Sequence, residues 1–396
     1  MFARFSLEKT YQNLLITLAF LMPLTVAGAN IVIAIICLIW LFSGNYTSKF
    51  LQIKDSKFLI ASLLFFLLHI FGLLWTEDLS WGLHIVHKMW YFLLLLPVLF
   101  TIVKKEYIKF YLYGFFLAIA FTEVISYLVW FEIIPPFKNA TVQNPTPFMS
   151  HISYNPIITV AIYLVLHEIF FNKNITNFLF TFYCFFAISM SINMFITGGR
   201  AGQVAFFVML VIMIFQVFDK QRFKSLLLIF IVIPGIFLSA YQSSELFQKR
   251  VNDAVAEVTK FPDQNETSVG LRINFAVNSL EVIRNNLLFG VGTGDFPSEY
   301  SKINKKNSPK LPNVTNPHNM YILVLMQLGL LGLVSMLSIF YYQLRISRQS
   351  SNQFFKNFGL TLPILFLVLM LSDSYLLGHY TTLVYVFFSS FLYKEF

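Results

Sequence analysis

What most constrains this chain is the recurrence of apolar runs close to 20 residues long, from one end to the other. A run of that length, wound as a helix, crosses the hydrocarbon of a bilayer with its backbone polar groups bonded internally. About twelve candidates stand near 12–27, 29–43, 57–75, 88–103, 107–131, 154–171, 176–196, 201–218, 223–241, 318–342, 357–372 and 375–393. The first two are tight enough to form one re-entrant hairpin. Composition agrees with a membrane chain: 12% of residues are charged and 57% hydrophobic, where a soluble domain carries about 25% charged. The expectation is an all-α, polytopic membrane protein with about 12 transmembrane helices, one integral membrane domain over residues 1–396. The first run has no obvious cleavage site and another follows at once, so it reads as a span and not as a removed signal peptide.

One stretch breaks the pattern. Residues 242–317 are polar and charged, and they read as a large helical loop outside the membrane. Lys and Arg set the orientation. With the N-terminus inside, Lys49, Lys54, Lys57, Lys104, Lys105, Lys220, Arg222 and Arg345 fall in cytoplasmic segments, while the short outer loops hold only Lys88, Lys138 and Arg200. Both termini are then cytoplasmic and 242–317 faces outward. The net charge of +9 follows from this topology and calls for no nucleic acid partner. Cys37 and Cys184 lie inside apolar runs, so neither a disulfide framework nor a cysteine metal site is expected.

The unusual residues collect on the outer side. Trp75, Trp81 and Trp90 surround a segment, 76–88, that contains His84 and His87 and resembles an interfacial helix anchored by its aromatics. The loop 132–153 carries Pro135, Pro136, Pro145 and Pro147, which forbid a continuous helix, and it is long enough to cover an outer cavity. Within 242–317, Leu246, Phe247, Val251, Val255 and Val258 give 243–260 one apolar side. The run Phe261-Pro262-Asp263-Gln264-Asn265 breaks that helix. A second helix is predicted over 268–286 on Leu271, Phe275, Val282 and Ile283, ending in Gly290-Val291-Gly292-Thr293-Gly294-Asp295. Those glycines do not have nucleotide-loop spacing and follow a helix, so a nucleotide site is rejected.

Several residues can carry chemistry. Thr197-Gly198-Gly199-Arg200-Ala201-Gly202 opens a span, and its Arg either snorkels to headgroups or sits in a glycine-built phosphate cradle. Arg272 and Arg284 share the second loop helix but stand twelve residues apart, about a third of a turn out of register. Asn316 as N-cap and Pro317 as first helical residue would place His318 in the first turn of a span, where the helix dipole favours a neutral imidazole able to take a proton. Asn319 could hold that ring or bond a sugar hydroxyl. Glu123, Glu168 and Asp373 lie near spans and could form a proton relay; no cluster has metal-ligand spacing.

Three of these segments in this order resemble the O-antigen ligase family: the Thr197–Gly202 turn, Arg272 followed by Asn286-Leu287-Leu288-Phe289-Gly290, and Pro317-His318-Asn319-Met320-Tyr321 with Leu328-Gly329-Leu330 behind it. The resemblance implies about twelve transmembrane helices with a large extracytoplasmic loop before the last motif. It implies transfer of a glycan from undecaprenyl diphosphate to an acceptor hydroxyl, lipid A–core oligosaccharide or another glycan, with no nucleotide sugar, cofactor or required metal. Arg200 and Arg272 would meet the diphosphate, and His318 would act as base or contact the acceptor hydroxyl. Gly199, Gly202, Asn319, Arg284 and Tyr321 become candidate substrate contacts. A related polysaccharide polymerase uses the same donor. An anion transporter is a third possibility, against which stands the lack of paired broken helices or repeats in the sequence.

Overall fold

The computed structural model describes residues 2–138, 140–259 and 266–396, with side chains from Leu7 onward. The expected break at 261–265 lies outside the described residues. Elements in order are α1 (Phe2–Leu21), α2 (Val26–Phe42), α3 (Tyr46–Asp55), α4 (Lys57–Phe71), α5 (Leu79–Lys88), α6 (Leu96–Ile102), α7 (Ile108–Trp130), α8 (His151–Phe171) and α9 (Asn177–Ile196). They continue as α10 (Arg200–Val217), α11 (Arg222–Ser243), α12 (Glu245–Thr259), α13 (Ser268–Asn285), α14 (Phe296–Asn307), α15 (Met320–Gln349), α16 (Gln353–Leu369) and α17 (His379–Leu392). A 3-10 turn over Gly72–Trp75 prolongs α4, and a π-turn over Tyr91–Leu95 joins α5 to α6.

Among the described residues, eight helical segments are long and apolar enough to cross a membrane, and α2 with α3, bent by 114°, make a ninth if taken as one span. All twelve apolar runs fall on helices, but they are not twelve full spans. Here α1 carries Arg4, Glu8 and Lys9, and α16 and α17 are only 17 and 14 residues long. The 76–88 segment is helical from Leu79 but runs on through the π-turn as the 24-residue span Leu79–Ile102.

Burial explains the arrangement. Every residue from Thr381 to Leu392 is buried, so α17 sits inside the bundle and not against lipid. Around it pack α6, α8 and α16, and α8 in turn crosses α10 and α9. By contrast only Ser225 and Ala240 of α11 are buried, which leaves that helix at the periphery. Since lipid offers helices little hydrophobic gain on association, side-chain hydrogen bonds mark the contacts. Tyr163 donates to Gln216 (2.8 Å), and Gln216 donates to Asn357 O and Thr361 (both 3.0 Å), joining α8, α10 and α16. Tyr385 donates to Gln343 (3.0 Å) and ties α17 to α15.

The polar stretch holds three helices, α12 to α14; the last was not expected. Val255 and Val258, placed on the apolar side of α12 by their spacing, are 59% and 58% exposed, and the buried stripe narrows to Phe247 with Val251. The glycine turn after α13 is structural. Val291 N–H donates to Met326 O (2.8 Å), Gly292 N–H to Gln327 O (3.0 Å), Thr293 N–H to Gly72 O (3.2 Å) and Gly294 N–H to Thr76 Oγ1 (3.2 Å). Those donors are committed to protein acceptors. Where this segment crosses α15, the helix is broken at Gly329 (φ 61°, ψ −155°), and Leu330 N–H donates to Leu287 O (2.8 Å).

Candidate functional site

The Thr197–Gly202 turn is held from outside. Asn155 of α8 accepts from the Thr197 hydroxyl (2.6 Å) and donates to Gly199 O (3.2 Å), while Asn144 accepts from Gly198 N–H (3.1 Å). A Cβ on Gly199 would stand 2.6 Å from His151 O, and one on Gly202 would stand 2.3 Å from Asn155 Cβ. The glycines therefore let α8 and α10 cross closely. Gly199 also borders the cavity described next; Gly202 does not, and its ligand contact gives way to a packing role.

That cavity, about 210 Å³, is walled by His151, Gly198, Gly199, Arg200, Arg250, Ser268, Arg272, Asp373 and Tyr375 among others. Three helices begin at it: α8 with His151, α10 with Arg200 and α13 with Ser268. Each N-terminus brings roughly half a positive charge to the cavity. Among the described lining residues, three guanidinium groups outnumber the one carboxylate, Asp373, so the chamber is suited to an anion with several oxygens. Arg200 Nη2 lies 3.7 Å from Glu257 Oε1, and Glu257 Oε2 accepts from Val269 N–H (2.8 Å), which ties α10, α12 and α13 together at its rim. The buried Nε of Arg200 finds no acceptor among the described residues.

His318 does not line this cavity but meets Asp373, which does. It does not lie in the first turn of α15, as its sequence neighbours suggested. Asn319 is the N-cap, accepting from Tyr321 N–H (3.0 Å) and Ile322 N–H (3.1 Å), and His318 precedes it in left-handed conformation, φ 52°. Asn316 makes an Asx turn instead, accepting from His318 N–H (2.9 Å) and from the Ser374 hydroxyl (2.9 Å). The ring stacks at 6.2 Å on Phe275 of α13, with Nδ1 3.4 Å from Asp373 Oδ1. Burial raises the Asp373 carboxyl, but His318, the Ser374 N–H and the Arg272 charge outweigh it and hold the group below the ordinary aspartate range. Beside it Tyr375 donates to Ile152 O (3.3 Å), a carbonyl left free because Pro156 has no N–H to offer it.

The other candidates are placed less directly. Asn319 uses its amide on the cap and on Leu371 O (3.0 Å), so its side-chain oxygen is committed to the cap. Tyr321 donates to Leu367 O (2.7 Å) and joins α15 to α16. Arg284 is exposed near Glu281 at the far end of α13, away from Arg272 as the twelve-residue spacing requires. Glu123 accepts from Ser189 and Glu168 accepts from Asn172, so neither is joined to Asp373 in a relay. Arg250 was missed. Its signal was available: Arg250 and Glu257 are seven residues apart on α12, hence on one face, at the edge of the stripe begun by Phe247.

Two further cavities adjoin this one. A chamber of about 380 Å³ shares Ile152, Asp373 and Tyr375 with it and reaches Trp81, Lys88 and Asn316. A longer apolar groove of about 1270 Å³ runs between α8, α9, α10 and α11, from Leu166 to Ser244 and Lys249. Its upper residues Ile196 and Lys249 stand next in sequence to Thr197-Gly198 and Arg250.

Comparison with curated proteins found no match. A family model described as O-Antigen ligase matches residues 185–337, the stretch that carries Arg200, Arg250, Arg272 and His318.

Proposed function

We propose that this protein moves a glycan from undecaprenyl diphosphate to a hydroxyl of lipid A–core oligosaccharide, at the periplasmic face of a bacterial inner membrane. Both termini would be cytoplasmic and residues 242–317 periplasmic. The observation that carries this reading is the small cavity with three arginines and three helix N-termini, next to an apolar groove. A lipid-linked diphosphate needs both: an anion site for its head and a greasy channel for its tail. The acceptor oxygen bonds to the anomeric carbon as the bond from that carbon to the phosphate oxygen breaks. The electron pair leaves on the diphosphate, where Arg200, Arg250 and Arg272 meet the growing charge. The hydroxyl proton passes to the His318–Asp373 pair. Charge stabilisation of this kind needs no metal, because preorganised guanidinium groups act on the leaving group directly.

Replacing Arg200, Arg250, Arg272 or His318 by Ala is expected to lower transfer by about 100-fold or more each, the cost of removing one preorganised donor to transition-state charge. Membrane insertion and yield should stay normal. Full transfer by all four variants, measured as glycan joined to lipid A–core, rules the site out. The same donor chemistry would serve a polymerase with a second carrier-linked glycan as acceptor. A deletion strain separates the two: loss of a ligase leaves long carrier-linked polymer, and loss of a polymerase leaves single repeat units.

A further inference from the structure

We infer that the 380 Å³ chamber beside Asp373 is the acceptor-sugar site, with Trp81 as its platform; this rests on the glycan-transfer reading. The two chambers share one wall, made of Ile152, Asp373 and Tyr375. A group held in the second chamber therefore reaches the residue that, with His318, takes the proton, while the anion stays with the arginines. The lining is mixed. Trp81, Ile85 and Leu377 supply apolar surface, and Lys88, Asn316 and Ser153 supply hydrogen-bonding groups. A sugar ring has the same two characters, an apolar C–H face and polar hydroxyl edges, and a phosphate or lipid tail does not.

Trp81 is built into place. Asp78 caps α5 by accepting from Trp81 N–H (2.9 Å), and Asp295 fixes the start of that helix by accepting from Glu77 N–H (2.9 Å) and Asp78 N–H (2.8 Å). Gly294 packs so tightly here that a Cβ would lie 2.1 Å from Asp78 O. The glycine turn thus aims Trp81 from across the fold. The indole packs at 4.9 Å against the tilted ring of His84, and its Nε1, buried, finds no acceptor among the described residues. A Trp that only anchors a helix at a membrane surface keeps that N–H at the wet interface, as the more exposed Trp75 can. Trp81 lines the chamber, held there by the Asp78 cap, so its ring is in place to meet the apolar face of a sugar.

The test uses the full-length protein in vesicles with native carrier-linked glycan as donor. Initial rates are measured while acceptor is titrated, once with lipid A–core oligosaccharide and once with the carrier-linked glycan itself. Trp81→Ala should raise the apparent KM for the acceptor by about tenfold or more, the loss of one ring contact. Trp81→Phe, which keeps a smaller ring, should fall between. Binding of undecaprenyl diphosphate should be unchanged in both variants and lost in Arg272→Ala. An unaltered acceptor KM in the Trp81 variants with either acceptor overturns the acceptor site alone. Undiminished undecaprenyl diphosphate binding by Arg272→Ala overturns the underlying functional reading instead. If Trp81→Ala is not produced, the Trp81→Phe titration decides the matter by the same criterion.

Discussion

Asp373 sits in a short turn between two helices, yet it borders two cavities and touches His318 and Ser374. Its carboxyl is held below the ordinary value of 3.8, so it contributes stability to the fold that is fully present above about pH 3.8 and lost as pH falls through the lower folded value. Thermal melting of wild type and Asp373→Asn should therefore differ at neutral pH and converge as the pH drops below 3.8. A constant gap across that range would show that ionisation of Asp373 does not stabilise the turn. Residue by residue, the site was only partly legible. Arg200 and Arg272 stood out through the resemblance of their segments to the O-antigen ligase motifs; taken alone, Arg200 could as well snorkel to headgroups and Arg272 face water. Arg250 did not, because it falls outside the three segments that carry the resemblance. The conformation of His318 was hidden because Asn316 and Asn319 are equally good caps in sequence, and only the contact of Asn319 with Leu371 decides between them.

The glycine-rich segment after α13 and the break in α15 are one device. Gly290 lies against the backbone of Gln327, where a Cβ would meet its carbonyl carbon at 2.4 Å, and Gly329 lies equally close to Leu288. Each also has positive φ, 69° and 61°. Gly329→Ala should cost at least about 2 kcal/mol, from left-handed strain plus displacement of Leu288. Gly235 in α11 is a matched control, since a Cβ there meets nothing within 4 Å and Ala should gain about 0.5–1 kcal/mol. Melting temperatures of the two variants in one detergent should move in opposite directions; parallel movement would remove the clasp. The apolar runs made the helices readable because a long apolar run has few alternatives to helix. They could not reveal that Gly329 interrupts one, because the contacts that require the break come from residues 287–292.

Across the whole molecule, burial is strongly one-sided. α17 and α8 are enclosed, while α11 stands off the bundle and leaves the groove beside α9 and α10. The 1270 Å³ groove is open along one side, with Ile188 and Ile192 62% and 50% exposed, and its walls are mostly apolar. A chain of isoprene units would suit its apolar walls, and the groove reaches Lys249, which adjoins Arg250. That geometry makes a separable prediction. Gly235 lines the groove and has open space at its Cβ, so Gly235→Trp should fill the channel without disturbing the fold. Transfer from a carrier with the full undecaprenyl chain should then fall, while transfer from a short-prenyl analogue of the same diphosphate-linked glycan should be nearly unchanged. Because the arginines are untouched, the loss should appear in the KM for the long carrier and little in kcat. Equal loss with both carriers would mean that the substitution acts through the fold. No loss with either would mean that the lipid tail runs elsewhere, along the outside of the bundle, leaving the anion cavity as the sole element of donor recognition.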